Sequence, residues 1–359
     1  MICCVECFKD PEIRGSIESL NHKGQCPICG AKDTWIYDSD SDFWNSDFEE
    51  LLTSIIEIYS PEENLDAAFP DDAKKNIEQH IKNDWKIFNL EEAGIRTILE
   101  EIIISSIDLD ERLLSQKVGI PKLYEDTFLE QNSVLGKYQW EDFRSYLRNE
   151  NRFHAKYINL EMLAEILREI VSIIPKGTRL YRARIAKDAN GYKLSEMGAP
   201  PDDVASAGRA NSKGISCLYL ANERKTTIKE IRAGVFDFVT IGTFRVKQDL
   251  KIIDLSMITH NSPFYADKDK VKFLLNEKHL RNIEKDLAKP VSKRDSDLDY
   301  LPTQYISDFA KYLGYDGVKY ISTFDKNSYN VAIFDANTCK CTYKRSYMIG
   351  DLDYKMKAL

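Results

Sequence analysis

The sequence predicts a multidomain protein in which a small cysteine-rich segment precedes an all-α domain and then an α+β domain. Three observations predict this order, and the first is that two Cys-x-x-Cys pairs fall within the first 29 residues. Apolar residues then recur at helical spacing to about residue 173, with almost no strand pattern. After Pro175-Lys176-Gly177, short apolar strands alternate with helices. We therefore place domains at residues 1–37, 43–173 and 174–346, and a C-terminal tail at 347–359.

The charge of the chain is divided unevenly along its length. The 359 residues carry 50 Lys and Arg against 58 Asp and Glu, a net charge of −8 that argues against general nucleic-acid binding. Residues 1–150 hold 15 basic and 32 acidic residues, a net of −17, so residues 151–359 carry a net of +9. The basic half is where we expect an anionic ligand. The hydrophobic content of 43% is ordinary for a globular protein and excludes a collagen-like or disordered chain.

Neither a membrane span nor an export signal is expected. Apolar runs such as 102–104 and 171–174 are far shorter than the roughly 20 residues that cross a bilayer. The N-terminal Met1-Ile2-Cys3-Cys4 lacks the basic start and the apolar stretch of a signal peptide. We expect a cytoplasmic protein without membrane partners, whose cysteines bind metal or stay free in a reducing compartment.

The first segment has the spacing of a structural zinc site. Cys4-x-x-Cys7 and Cys26-x-x-Cys29 offer four thiolates as two pairs, which suits tetrahedral Zn²⁺ and predicts a zinc ribbon. Four sulfur ligands leave no open coordination position, so the predicted site is structural and not catalytic. Free cysteines or a redox Cys-x-x-Cys pair are the alternatives, and the adjacent Cys3 offers a substitute for Cys4.

The middle domain is predicted to be an all-α bundle that follows an acidic linker from Asp38 to Asp47. Its helices are placed where apolar residues repeat every three or four positions, and Ser60-Pro61 ends the first of them. The candidate helices cover residues 48–59, 71–82, 91–105, 122–131, 138–148 and 158–173.

The C-terminal domain is predicted from short β-branched and aromatic runs bounded by turn residues. Its candidate strands cover residues 180–184, 215–221, 238–246, 251–255, 318–321 and 331–334, and its candidate helices lie near 225–233, 267–285 and 302–313. Cys339 and Cys341 alternate in the manner of one further strand.

The densest group of polar side chains is the loop at residues 208–214, Gly-Arg-Ala-Asn-Ser-Lys-Gly. Its glycines, Arg209 and Lys213 could present backbone amides and positive charge to a phosphate. The glycine spacing is wrong for a P-loop or a dinucleotide fingerprint. A solvated hairpin turn would have a similar composition, so the loop alone leaves its role open.

Four separated motifs resemble, in order, those of the RES domain, the toxin module of many bacterial toxin–antitoxin pairs. They are Tyr181-Arg182-Ala183-Arg184; Gly208-Arg209 and Asn211 with Leu218-Tyr219-Leu220-Ala221 and Glu230; Thr303-Gln304; and Tyr315 to Ser322 followed by Asn330. The likeness covers about residues 173–345. The cysteine pairs and helices before it resemble the HEPN-like extension that accompanies some RES domains.

The resemblance implies an ADP-ribosyltransferase-like fold that consumes NAD⁺ as its substrate. By position, Arg182, Glu230 and Ser322 would be catalytic, and the NAD⁺-binding residues would be Tyr181, Arg182, Arg209, Asn211, Tyr219 and Ser322. The residue types suit these tasks, since arginine binds pyrophosphate, tyrosine stacks on nicotinamide and glutamate stabilises the cation left when nicotinamide departs. Taken singly, each of them would also suit an ordinary surface or core position.

These inferences lead to one principal function and three alternatives. The principal hypothesis is a toxin or defence effector that cleaves the nicotinamide–ribose bond of NAD⁺, with water, phosphate or a protein side chain as acceptor. ADP-ribosyl transfer to a protein target would use the same site. A catalytically inactive NAD or nucleotide sensor, and a HEPN-type ribonuclease acting through Arg148 and His154, belong to other classes. An antitoxin or regulatory partner and a homo-oligomer are further expectations.

Overall fold

The computed structural model describes residues 1–41, 46–259, 262–264, 269–289 and 297–351. The chain forms two compact units, the first comprising Met1–Lys137 and Asn261–Lys278, the second Tyr138–His260 and His279–Leu359. The predicted boundaries at residues 37 and 173 do not coincide with this division, and most of the predicted tail at 347–359 lies outside the described residues. Within the described ranges, no helix is both long and apolar enough to cross a bilayer.

The first unit begins with a small antiparallel sheet around the cysteines. Its strands are β1 (Ile2–Cys4), β2 (Lys23–Gly24) and β3 (Thr34–Asp38), with β3 in the centre. Helix α1 (Pro11–Ser19) starts where the Asp10 carboxylate accepts hydrogen bonds from the backbone N–H groups of Glu12 and Ile13. This cap, with proline at the first helical position, determines where α1 begins.

Mostly short helices make up the rest of the first unit. They are α2 (Ser46–Ile56), α3 (Ile77–His80), α4 (Glu92–Ser105), α5 (Arg112–Ser115) and α6 (Asp126–Asn132), beside a ladder of β4 (Ser60–Pro61) with β5 (Val118–Gly119). The continuous helix predicted over residues 71–82 is wrong, because Asn76 is extended and forms a capping box with Gln79 that starts α3 afresh. A 3₁₀ turn at Asp71–Ala73 precedes α3 and a π turn at Ile81–Trp85 follows it.

The cysteine segment and the helices of the first unit share one apolar core. Cys4, Cys7 and Phe8 belong to the same buried cluster as Phe48 and Ile98 of the helices. The Phe8 ring contacts that of Phe48 edge to face, with centroids 5.6 Å apart. The predicted domain boundary after residue 37 therefore crosses a continuous core, because a segment with so few apolar residues of its own is buried against α2 and α4.

The second unit is built on an eight-stranded sheet in the order β13-β9-β7-β8-β12-β11-β10-β6. The strands are β6 (Val171–Ile174), β7 (Arg179–Ala186), β8 (Leu218–Ala221), β9 (Phe238–Val246), β10 (Leu250–Asp254), β11 (Gly317–Ser322), β12 (Asp325–Ile333) and β13 (Cys339–Met348). The helices are α7 (Trp140–Asn149), α8 (Leu160–Glu169), α9 (Arg224–Glu230), α10 (Lys270–Ala288), which is divided between the two units, and α11 (Leu301–Tyr312). Neighbouring strands are antiparallel except β10 and β11, which are parallel. This mixed α/β content agrees with the predicted α+β class of the C-terminal domain.

The helix predicted over residues 158–173 is too long, and its last part is a strand. Helix α8 ends at Glu169, and Val171–Ile174 forms β6, which pairs with β10 at one edge of the sheet. β-branched residues at 171, 173 and 174 favour an extended backbone. Since α7 and α8 also belong to the second unit, the predicted helical domain at 43–173 spans parts of both units.

The register of four central strands brings polar side chains to one face of the sheet. Tyr181 of β7 pairs with Ala221 of β8, Ala221 pairs with Asn330 of β12, and Asn330 pairs with Tyr320 of β11. Residues that are directly opposite in adjacent strands point to the same face. A row of side chains therefore crosses β7, β8, β12 and β11, while the neighbouring Val331 belongs to the apolar core.

Candidate active site

A cavity of about 340 Å³ lies on this row of side chains. Six of the seven residues predicted for the NAD⁺ site line it, namely Tyr181, Arg182, Arg209, Asn211, Tyr219 and Glu230. The volume lies at the lower end of the roughly 300–1,000 Å³ that is usual for small-molecule sites. The seventh residue, Ser322, is buried beside the cavity and reaches it through Glu230. Motifs that are far apart in the sequence thus meet at one place.

Glu230 is the acidic group of the cavity and is held by two neutral donors. It is the last residue of α9, and its Oε1 accepts hydrogen bonds from Ser322 Oγ at 3.0 Å and Asn330 Nδ2 at 2.7 Å. Both bonds fall on Oε1, so Oε2 has no hydrogen bond from the described residues. A carboxylate fixed through one oxygen, with neither donor carrying a charge, keeps its negative charge available to a ligand.

Two arginines supply positive charge to the same cavity. Arg209 is 8% exposed and donates one hydrogen bond, to the carbonyl oxygen of Leu287 at 2.7 Å. Arg182 likewise donates one, to the carbonyl oxygen of Gly198 at 2.9 Å. Neither forms an ion pair within the described part of the chain, so most of their N–H groups remain for an anion. Burial, and then the nearby charge of Arg184, lowers the pKa of Arg182 to about 10, which still leaves it charged at neutral pH.

The loop at residues 208–214 is fixed by a network of side-chain hydrogen bonds. Asn211 Nδ2 donates to the carbonyl oxygens of residues 206, 212 and 215, and Tyr219 donates its hydroxyl proton to Asn211 Oδ1 at 2.7 Å. Gln304 of α11 donates from Nε2 to the carbonyl oxygens of Gly208 at 2.7 Å and Asn211 at 2.9 Å. The Asn211 amide and the Tyr219 hydroxyl thus hold the loop that carries Arg209. Their predicted contacts to NAD⁺ stay predictions.

Two residues of the row, Tyr320 and Asn330, have no site role predicted from the sequence. Both line the cavity, and Asn330 is a direct partner of Glu230. Burial, followed by the negative charge of Glu230, raises the pKa of Tyr320, so its hydroxyl stays protonated. Both belong to the last motif of the resemblance. Only the register of β11 against β12 shows that they adjoin Glu230.

The four predicted zinc ligands come together in the first unit. Their Sγ atoms all lie within 4.8 Å of one another, with 3.8 Å between Cys4 and Cys7, 3.4 Å between Cys4 and Cys29, and 3.7 Å between Cys7 and Cys26. Tetrahedral zinc with sulfur at about 2.3 Å separates its ligands by about 3.8 Å. Cys3 is buried but lies outside this group, so the fit favours Cys4 over Cys3.

Arg148 and His154, the residues proposed for a ribonuclease, have ordinary surroundings. Arg148 forms an ion pair with Asp299 at 3.6 Å, and the His154 side chain is exposed. The backbone N–H of His154 donates to Asn151 Oδ1 at 3.0 Å, as in a polar turn. These contacts suit the end of α7 and the turn that follows it, and the ribonuclease function stays a hypothesis.

Comparison with known families identifies the C-terminal part of the chain. The family model of the RES domain matches residues 179–355, which include the sheet strands and side chains that form the cavity. The chain therefore carries a RES domain at these residues. This match confirms the RES domain that the sequence motifs resemble.

The chain is similar to one in the crystal structure of the M. tuberculosis MbcT–MbcA toxin–antitoxin complex, with 14% identity and a TM-score of 0.34. That similarity covers 52% of this chain and 92% of the other. Among curated proteins, no match was found.

Proposed function

We propose that this protein cleaves the bond between nicotinamide and ribose in NAD⁺ and acts as a RES-domain toxin or defence effector. The main support for the proposal is that one cavity holds two arginines, which have no carboxylate partner among the described residues, and one carboxylate held by neutral donors. Buried Arg209 and half-buried Arg182, each without an acidic partner among the described residues, favour an anionic ligand. The pyrophosphate of a dinucleotide matches them in charge and geometry.

The proposed reaction assigns a separate task to each charged group. Arg182 and Arg209 bind the pyrophosphate and hold the nicotinamide ribose in the cavity. As the C–N bond breaks, its electron pair moves to the pyridinium nitrogen and neutral nicotinamide leaves, so positive charge develops at the ribose carbon. The carboxylate of Glu230 stabilises that charge through Oε2, while Ser322 and Asn330 keep it in place. Attack by an acceptor oxygen then completes the exchange, and the acceptor loses its proton.

The identity of the group that accepts ADP-ribose determines the product, and the toxicity of the reaction predicts a protein that restrains the enzyme. Water would give free ADP-ribose, phosphate would give its phosphorylated form, and a protein side chain would give a modified protein. An enzyme that depletes NAD⁺ harms its own cell, so we expect an antitoxin or regulatory protein to restrain it. Self-association would be a further means of control.

The cysteine cluster of the first unit is proposed to bind one structural Zn²⁺. The ligands would be Cys4, Cys7, Cys26 and Cys29, whose spacing fits a tetrahedral ion. Zinc bound there would link β1 to the turn before β3 and stabilise the shared core. Burial raises the pKa of Cys4 to about 12, so its thiolate requires a nearby cation.

The experiment is to incubate the purified full chain with NAD⁺ labelled in the adenine ring and to measure free nicotinamide. We expect nicotinamide release together with label in soluble ADP-ribose or its phosphate. Label on protein would instead select ADP-ribosyl transfer at the same site. Absence of nicotinamide release under all acceptors would refute the proposed cleavage.

A further inference from the structure

A second concavity adjoins the loop at residues 208–214. It is a groove of about 660 Å³, and it shares the wall residue Ala207 with the active-site cavity. Gly208, Arg209 and Asn211 line the cavity, whereas Ser212 and Lys213 of the same loop line the groove. The loop thus lines two adjoining spaces, and a ligand longer than the cavity would have to pass the loop to reach the groove.

Four aromatic residues are among those that line this groove. Phe153 and Tyr312 are each 83% exposed, and Tyr305 and Phe309 line the groove beside them. The rings of Phe309 and Tyr312 are stacked, with centroids 6.1 Å apart and planes inclined by 20°. A cluster of large, exposed aromatic rings is typical of a binding surface. A nucleobase stacks on such rings because every base has a flat π-face.

The charged residues of the groove can bind the phosphate and the ribose of a nucleotide. Arg152 and Lys213 line it, and neither forms an ion pair within the described part of the chain. They can therefore attract a phosphate that passes along the loop from Arg209. Asp297 and Asp308, also in the lining, can accept hydrogen bonds from ribose hydroxyls, as acidic residues do in other nicotinamide-dinucleotide sites.

We infer that the groove binds the adenosine half of the dinucleotide whose nicotinamide half occupies the cavity. This inference rests on the proposed function, since it divides one substrate between the two spaces. The pyrophosphate would then lie against the loop that carries both Arg209 and Lys213. Binding of the substrate in two adjoining spaces explains how a cavity of about 340 Å³ can hold the reacting half of a long dinucleotide.

The test compares Tyr312→Ser with the wild type on two substrates that share the same scissile bond. We expect the KM for NAD⁺ to rise roughly tenfold, within the five- to hundredfold range typical of one lost base stack, with kcat changed by less than about twofold. Nicotinamide mononucleotide lacks the adenosine half, so its cleavage should not change. The control is Tyr343→Ser, because Tyr343 is an exposed tyrosine of β13 that lines neither space.

Binding of ADP-ribose, measured by calorimetry, separates this inference from the proposed function. The wild type should bind ADP-ribose, and Tyr312→Ser should bind it roughly tenfold more weakly, whether or not cleavage occurs. If the wild type binds ADP-ribose in this way but releases no nicotinamide, the proposed cleavage fails and the groove stands. An unchanged affinity in Tyr312→Ser, or an equal loss of NAD⁺ and mononucleotide cleavage, overturns the assignment and favours a protein-docking surface.

Discussion

The two units of the chain pair their reactive side chains in opposite ways. In the first, the four clustered thiols are partners of one another, and three of the four cysteines are buried. In the second, Arg182, Arg209 and Glu230 each have neutral partners from the protein and face a shared cavity. Four cysteines that can fill every coordination position favour a structural metal ion. Charged side chains whose protein partners are all neutral favour a bound substrate. The difference shows that a structural site and a reaction site are distinguished by the partners of their reactive side chains, more than by how many such side chains they hold.

Loss of the metal should have the largest effect, and it should fall on the first unit. We expect about one zinc per chain in the wild type and none in Cys26→Ser, together with a large fall in the thermal stability of that unit. Structural zinc sites contribute about 10–16 kcal/mol of apparent binding energy in small zinc-finger peptides. Mass spectrometry of the metal and thermal unfolding would measure both changes. Cys3→Ala is the control that should retain zinc, and retention of zinc by Cys26→Ser would contradict the ligand set.

The next largest effect is expected from the removal of one positive charge from the cavity. Arg182→Met keeps an unbranched side chain but removes the guanidinium, so we expect kcat/KM for NAD⁺ to fall roughly tenfold to a hundredfold. That range corresponds to a charge-assisted hydrogen bond of about 1.5–3 kcal/mol. Steady-state nicotinamide release would measure it.

The matched control for the arginine is two residues away on the same strand. Arg184 lies over the Tyr192 ring at 4.1 Å and does not line the cavity. Arg184→Met should therefore leave kcat/KM close to that of the wild type. An equal loss in both variants would mean that general positive charge, and not the cavity, attracts the substrate.

Release of the loop should have the smallest of these effects. Gln304→Glu is isosteric but places a carboxylate oxygen against the carbonyl oxygens of Gly208 and Asn211, which Gln304 Nε2 now binds. Because the loop then holds Arg209 less firmly, we expect KM for NAD⁺ to rise about fivefold to tenfold, with little change in kcat. Steady-state kinetics would measure the KM, at a temperature at which thermal unfolding shows that the variant and the wild type are folded to the same extent. A fall in kcat with an unchanged KM would instead make Gln304 part of the chemical step.

Much of the second unit could be predicted from the sequence because its signals are local. Strand patterns of β-branched and aromatic residues placed β7, β9, β10 and β11 close to where they are observed. The motif residues Arg182, Arg209 and Glu230 also proved to share one cavity. Each motif is attached to a strand or helix end, so their convergence follows once the strands pair.

The features that could not be predicted depend on distant parts of the chain. The role of Asn330 follows from the β11–β12 register, and that of Gln304 from the packing of α11 against the loop, neither of which is a periodic pattern. The sequence does not separate β6 from the end of α8, because Val171, Ile173 and Ile174 continue the apolar spacing of the helix unless a partner strand is known. The break at Asn76 has a local signal, since a capping residue within an amphipathic run indicates two helices.

The central claim is that Glu230 acts on the substrate, and a single pair of variants tests it most directly. Glu230→Gln keeps an oxygen acceptor for Ser322 and Asn330 but removes the negative charge, whereas Glu223→Gln changes an exposed residue at the other end of α9. We predict that nicotinamide release from NAD⁺ falls at least about hundredfold in kcat for Glu230→Gln, with unchanged thermal stability and with Glu223→Gln like the wild type. Release by Glu230→Gln at the wild-type rate would contradict the account.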